Sequence, residues 1–567
     1  VTAERRARIV QLLVFALGIL LFLPSLRTPF LLDDYIHRSM VEGTFPAHRA
    51  PYDLYDFVND GDRAVLAARG ILPWWIHPEL KIRFFRPLSS LLLWGDHSIV
   101  GPNPLVMHLH SLAWWIAAVL ATRSFYRGFL SPRATLMATT IFALAPCHAL
   151  PLAWLANREV LVSLTFGVLG LAAYVRFREQ RRLRDGLSAA ALFLLCLLGG
   201  EYGLAFGGYV AAYELARSDG LRKRGSGLAP FLGPAALYLG VRARLGYGTA
   251  GSGFYSDPLT QPISFLSTAP RRFFTQIADA WLTIDAEAWS PTTPLWILGG
   301  VCAIGAAALY VPLRRLFASI ASPPRWLVTG SLVALVPTLA VVPSSRLLGI
   351  AYVGVAPIVA LLIEYVWFTA KKEDRSEVLT HAALLLAFAH FIHGPVTGWL
   401  IGREFRASAL EFREHVAWLR QEIPDASNAD VVLVRGFGRQ FFAPFAIDPG
   451  GRLPSRWRIL AHAGHVLMFR IDDHTLRLVV PKDKSLFPAG DGNLFRSPEL
   501  PLHRGDELDV PGMHVVIEEV GTEGPRQATF TFDQELDGSG AIWIAEVHDG
   551  FEEVRLPTVG FAKPLEP

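Results

Sequence analysis

Over its first four hundred residues the chain alternates long apolar runs with short charged ones, and beyond that the runs become shorter and mixed. A helix that crosses a bilayer needs about 20 largely apolar residues. By that measure spans are predicted near 9–26, 103–124, 134–151, 157–175, 187–200, 203–216, 228–243, 292–312, 326–343, 347–369 and 378–401. The fifth and sixth are short and joined by "GGEYG" (199–203), so they can also form one broken pair dipping from the outer face.

The charged loops supply an orientation. Arg5, Arg6 and Arg8 precede the first run, and "RSFYRGFLSPR", "RFREQRRLR", "RSDGLRKR", Arg314–Arg315 and "KKEDR" fill every second loop after it. Cytoplasmic loops collect Lys and Arg. The amino terminus is therefore expected inside and, with eleven spans, the carboxyl terminus outside. An even number of spans would invert the tail and leave the first loop where it is.

The pattern divides the chain into a polytopic membrane domain, 1–401, with a first outer loop at 27–102, and a soluble domain, 402–567. The soluble part opens on an amphipathic helix, "REFRASALEFREHVAWLRQEI", which Pro424 should end. Strand-like runs follow: "VVLVRGF", "HVLMFRIDDHTLRLVV" with a hairpin at Asp473–His474, "MHVVIEEV", "ATFTFDQEL" and "AIWIAEVHDG". The expected fold class is an α-helical polytopic membrane protein carrying a C-terminal extracytoplasmic β-rich α+β domain.

Composition agrees with a membrane chain: 52% of the 567 residues are hydrophobic and only 18% charged, with a mean hydropathy of +0.34, where soluble domains are about a quarter charged. A net charge of +3 is too small to suggest a nucleic-acid partner. Cys147, Cys196 and Cys302 lie in or beside apolar runs, far apart and odd in number, and read as small buried hydrophobes. The first run has the outline of a signal peptide but is long enough to span, so it reads as an uncleaved first helix.

Two motifs take their plain readings. "GYGTAG" (246–251) matches a glycine-rich phosphate loop in letters but follows a membrane run, so it is expected to be a flexible outer loop. "HAGH" (462–465) has no third ligand at metal spacing and reads as strand-surface histidines.

The first outer loop holds the candidate chemistry. "FLLDDYIHRSM" (30–40) sets Asp33 and Asp34 just past the first run, where carboxylates are costly and usually retained for a task. One of them can serve as a base, and the other can orient it, cap a helix or bind a metal. Trp74 and Trp75 read mainly as an interfacial aromatic belt. Arg86, before Pro87, can hold a phosphate with two planar hydrogen bonds. "APCHALPLAWLANREV" adds His148 and Arg158–Glu159, and Glu201 stands in the turn between the fifth and sixth runs.

At these residues the sequence resembles the GT-C glycosyltransferases, above all the transmembrane protein O-mannosyltransferases whose tails carry tetratricopeptide repeats, and the related PMT-like families. Their acidic pair, "YRPL"-like motif and "yHlvN"-like helix start are similar to "LDDY", "FRPL" and "MHLHS"; "HPxHTEAV…GR" is similar to "APCHALPLAWLANRE". "KE" resembles "GEY", and "sERylYlpsvgf" resembles "SSRLLGIAYVGV" (344–355). The likeness runs in order over about residues 10–370. Leu150, Asn157 and Gly200 depart from the motifs, and a β-rich domain stands in place of the repeats.

The resemblance implies transfer of a sugar, hexosyl or mannosyl, from a polyprenyl-phosphate donor to an extracytoplasmic acceptor, a protein hydroxyl or a cell-envelope glycan or lipid. Asp33 or Asp34 would be the base, with Asp33 preferred. Arg86, His108, His148, Arg158, Glu201 and Arg346 would bind the donor or support its site. It leaves open a divalent metal ion, Mg or Mn, and implies a place in a bacterial inner membrane. A non-catalytic membrane scaffold and a lipid or polysaccharide transporter are the alternative readings.

Overall fold

In the computed structural model each apolar run read as a span is built on helix. The structure describes residues 3–370, 376–425, 427–448, 450–488, 490–548 and 550–566; the "KKEDR" run lies outside them. Five helices are long and apolar enough to cross a membrane: Pro104–Tyr126, Leu155–Gln180, Leu295–Ser319, Ser345–Thr369 and Glu377–Glu422. Pro132–Ala143 and Pro146–Ala153, bent by 47°, count as a sixth if they form one broken span. The other expected spans correspond to helices that are shorter or interrupted, such as Gln11–Leu21, Trp326–Ala340 and Leu221–Arg244 with its two internal prolines. Eleven crossings therefore do not follow from helix length and apolarity.

The helix starts have local causes. Asn103 and Ser131 each precede a proline in the first turn, where the missing N–H costs nothing. Their side chains accept the free N–H groups of Val106 and Ala134.

The chain divides into two compact units. The helical unit comprises residues 1–28, 85–247 and 265–407. At its centre lies Ser345–Thr369, with 89% of its most apolar window buried, whereas Leu295–Ser319 is 11% buried and faces outward. Close approach is built in at Gly354: a Cβ there would meet the Leu327 carbonyl oxygen at 2.4 Å. The hydroxyls of Tyr209 and Tyr126 donate to the carbonyls of Ile350 (2.7 Å) and Val353 (3.0 Å), so these buried phenols are satisfied within the bundle. Cys147 and Cys196 are buried and Cys302 half-buried, all three as free thiols.

The second unit comprises residues 29–84, 248–264 and 408–567. Its strands are β1 (Asp56–Val58), β2 (Lys81–Arg83), β3 (Gly248–Ala250), β4 (Asp430–Leu433), β5 (Arg456–Ile459), β6 (Val466–Arg470), β7 (Thr475–Val479), β8 (Glu507–Val510), β9 (Met513–Gly521), β10 (Gly524–Phe532), β11 (Ile542–Val547), β12 (Gly550–Glu553) and β13 (Ala562–Leu565). They form sheets of order β1-β2-β3, β13-β6-β7-β10-β9-β8 and β12-β11-β4-β5. The long strands alternate buried and half-buried positions, the period-2 pattern of a sheet with one more deeply covered face. The helix ending at Glu422 runs unbroken from Gly394, and Ala409, Phe412, Val416 and Leu419 form its buried stripe.

Three expectations are corrected here. Trp74 and Trp75 are not a membrane belt: Trp75 is 0% exposed and stacks on Phe487 at 5.0 Å, and Trp74 Nε1 donates to the Leu460 carbonyl at 2.9 Å. Arg496 donates to the carbonyls of Trp75 and Ile76. "GYGTAG" is not a free loop, because Gly248–Ala250 pairs with Lys81–Arg83 as β3 on β2. "HAGH" lies between β5 and β6 rather than on a strand face, and burial pushes the His462 pKa down to about 4.

The division into units also crosses the sequence boundary at residue 401, since residues 29–84 and 248–264 share a unit with the tail.

Candidate active site

The acidic pair begins the helix Asp33–Glu42. Carboxylates in a first turn are favoured by the helix dipole. Asp34 is 2% exposed and accepts the Leu31 N–H at 3.2 Å, which fixes it against its own backbone. Asp33 is half-buried. The residue before it, Leu32, is held at φ 54° and ψ −124°, a conformation that side chains other than glycine resist. Such strain costs about 1–3 kcal/mol and collects at functional sites. Leu32→Gly is therefore expected to raise the thermal melting temperature, because relief of strain exceeds the extra chain entropy of glycine, about 0.5–1 kcal/mol. A lowered melting temperature would show that Leu32 is unstrained. His37, one turn on, is buried between Tyr55 and Phe57, with ring centroids 4.9 and 5.3 Å away.

In the helical unit, Arg86 is the centre of a charge cluster. Its Nε and Nη2 donate to the two oxygens of Glu201 at 3.0 and 3.2 Å, and Nη1 donates to Glu159 at 3.1 Å. Arg86 lies before Pro87, Glu159 starts the helix Glu159–Gln180, and Glu201 starts a short turn after Gly200, so three element ends converge. A Cβ at Gly200 would lie 3.4 Å from Glu159 Cγ and 3.7 Å from Arg86 Nε, which puts that position against the cluster. Burial alone would raise the Glu201 pKa, but the Arg86 charge and hydrogen bonds outweigh it and hold the carboxyl below its usual range.

Arg158 is committed elsewhere. Its nitrogens donate to Ser111 Oγ (2.8 Å), to the Met107 carbonyl (2.7 Å) and to Asp96, and contact the His110 ring. Burial opposes ionisation of Asp96, yet His110 and Arg158 together keep its pKa below the usual carboxylate range. Both ring nitrogens of His108 lie on carbonyls, of Leu152 (2.8 Å) and Thr28 (2.9 Å), and His148 Nε2 lies on that of Phe142 (2.8 Å). These three side chains tie the helices together.

Arg346 is placed differently. Its guanidinium lies 5.3 Å from the Trp154 ring centroid, a cation–π distance, and forms no hydrogen bond or ion pair among the described residues. Its charge acts on both Glu159 and Glu287. Beside it Ser345 donates to Asp279 (2.7 Å) and Asp285 (3.1 Å), and Ser344 donates to Glu287 (2.5 Å). Burial pushes the Asp279 pKa up to about 7.

The structure thus joins Arg86 and Glu201 directly and sets Arg346 within electrostatic reach of their partner Glu159. It uses Arg158, His108 and His148 for other contacts, and it carries Asp33 and Asp34 in the second unit. Glu159 was named in sequence beside Arg158, though not as a partner of Arg86; Asp96 and Asp279 were not named, because their partners come from distant helices. Among the described residues no three His, Cys, Asp or Glu side chains converge as metal ligands.

No protein-family model and no curated protein sequence matches the chain. Solved structures that resemble it include the apo oligosaccharyltransferase of Archaeoglobus fulgidus, at 13% identity and a TM-score of 0.45 over 79% of this chain and 64% of that one. The chain therefore spans 64% of the length of that relative. ArnT from Cupriavidus metallidurans, bound to undecaprenyl phosphate, is similar at 13% identity and a TM-score of 0.39 over 79% of this chain and 85% of that one. The mycobacterial arabinofuranosyltransferase AftD is similar at 12% identity and a TM-score of 0.35, over 95% of this chain and 42% of that one.

Proposed function

We propose that this chain is a GT-C-type membrane glycosyltransferase that moves a sugar from a polyprenyl-phosphate carrier to an acceptor hydroxyl outside the membrane. The order of the motifs along the sequence first supports this reading. The observation that carries it further is the backbone at the acidic motif, where the strained Leu32 sets Asp33 and Asp34 in the first turn of the helix Asp33–Glu42.

In the proposed step the acceptor O–H gives its proton to the Asp33 carboxylate as its oxygen attacks the anomeric carbon. The bond from that carbon to the phosphate oxygen breaks, and its electron pair leaves with the phosphate. A positioned base contributes about 10²–10⁴-fold. Charge gathering on the leaving phosphate needs a cation whose donors are not already spent. Arg158 is saturated by Asp96, Ser111 and Met107, and Arg86 is held by two carboxylates. Arg346 is therefore assigned as the phosphate ligand, with the Arg86–Glu159–Glu201 cluster holding the helix ends behind it. The acceptor, protein or glycan, and the sugar are left to experiment.

The test uses the full chain in detergent with labelled polyprenyl-phosphate sugars and a cell-envelope extract as acceptor. Charge-assisted hydrogen bonds contribute about 1.5–3 kcal/mol, so Arg346→Gln is expected to weaken donor binding about tenfold to a hundredfold. Failure of the parent to bind or use any such donor would overturn the reading. Unchanged donor affinity in Arg346→Gln would remove Arg346 from the site.

A further inference from the structure

A cavity of about 590 Å³ opens in the helical unit along the outward-facing helix Leu295–Ser319. Trp281, Leu309, Leu313 and Phe317 give it apolar walls, and Arg314 and Arg325 also line it. Arg314 stands one helical turn before Phe317, and the Arg325 guanidinium lies 5.7 Å from the Phe317 ring centroid, so both cations mark the same end. Neither forms an ion pair among the described residues. The wall from Cys302 to Phe317 is about 22 Å long at the helical rise, more than the roughly 15 Å of one hydrocarbon leaflet.

The basic end is far from the proposed donor site. Asp285 and Glu287 precede the start of this helix at Leu295, and Arg314 lies 19 residues beyond that start. That is about 28 Å along the axis, close to the thickness of the hydrocarbon core. Arg314 and Arg325 therefore face the opposite membrane surface from Arg346.

We propose that this groove binds one anionic glycerophospholipid of the leaflet on the Arg314 side, with an acyl chain along the apolar wall and the phosphate between the two guanidiniums. An acyl chain gains little on leaving other lipid tails for an apolar protein wall, since the tails are already as apolar as leucine. Selectivity must come from the headgroup, where each basic residue adds about 1 kcal/mol of attraction for an anionic lipid. Two snorkelling arginines without a groove would attract many lipids weakly; a groove ending on them selects one. This site stands independently of the transferase reading.

The experiment is native mass spectrometry of the full chain released from micelles holding equal phosphatidylglycerol and phosphatidylcholine. One phosphatidylglycerol per chain is expected to be retained about tenfold or more over phosphatidylcholine. Arg314→Gln with Arg325→Gln should abolish the preference, and Arg314→Lys with Arg325→Lys should keep most of it. Ala306→Trp, which fills the groove and leaves both arginines in place, should lower retention as well. Equal retention of both lipids by the parent overturns the proposal, and this comparison needs no variant to fold. A preference that survives both Arg314→Gln with Arg325→Gln and Ala306→Trp also overturns it. Displacement of the phospholipid by an equal amount of undecaprenyl phosphate would assign the groove to an isoprenoid chain and overturn it too.

Discussion

Asp33→Asn is expected to cut sugar transfer by about 10²–10⁴-fold while leaving donor binding within a factor of two or three, on the order expected for loss of a general base. Asparagine keeps the volume of the side chain and can still accept a hydrogen bond, but it cannot take a proton from the acceptor. The same change at Asp34 tests a different role. Asp34 Oδ2 accepts the Leu31 N–H at 3.2 Å, and an asparagine oxygen can accept it as well, so Asp34→Asn should cost less. Initial rates at saturating donor, with donor affinity measured separately, separate the two positions. A larger loss at Asp34 than at Asp33 would exchange their roles. Full transfer by both variants would end the carboxylate-base reading, whereas a parent that binds the donor and transfers nothing would favour the non-catalytic scaffold.

The helical half was legible because each apolar run is a local property of consecutive residues, and helix closes every backbone hydrogen bond within itself. How many of those helices cross was not legible, since length and apolarity qualify only five or six. The β-rich tail was legible in its alternating runs, and the turn at Asp473–His474 does join β6 to β7. What the sequence hid were partnerships between distant residues. Trp74 and Trp75 look the same in a membrane belt as in a core, and only Phe487 and Leu460, some four hundred residues away, decide between them. Lys81–Arg83 and Gly248–Ala250 are too short to read as strands alone, yet they pair.

The same limit applied to the site. Arg86, Glu201 and Arg346 were found through motifs, but which arginine has donors to spare depends on partners. Arg158 resembles a donor-site arginine in sequence and is saturated in the structure by Asp96, Ser111 and Met107. The strain at Leu32 could not have been read from the sequence, because leucine carries no signal for a positive φ.

Arg86→Met is expected to destabilise the helical unit by about 3–5 kcal/mol at neutral pH, the cost of leaving buried carboxylates without their cation. The Glu159 side chain is 5% exposed and that of Glu201 28%, and methionine fills most of the arginine volume, so the loss comes from charge more than from a cavity. The pH dependence separates the two causes. In the parent, Glu201 is held below its usual pKa by Arg86. Its stabilisation is therefore present above the unfolded value, about 4.3, and is lost as pH falls through the lower folded value. Without Arg86, burial is the largest remaining influence on Glu201 and reverses the sign: the protonated carboxyl is favoured, and stability falls as pH rises from the unfolded value through the raised folded one. The gap in melting temperature between parent and variant, followed by tryptophan fluorescence in detergent, should thus be widest near pH 7 and shrink toward pH 4. Arg86→Lys, which keeps one charge but cannot bridge both Glu201 oxygens with a planar fork, should fall between them. A gap that stays constant with pH would mean that Arg86 acts by packing alone, and parent-like melting of Arg86→Met at pH 7 would remove the cluster from the account of the fold.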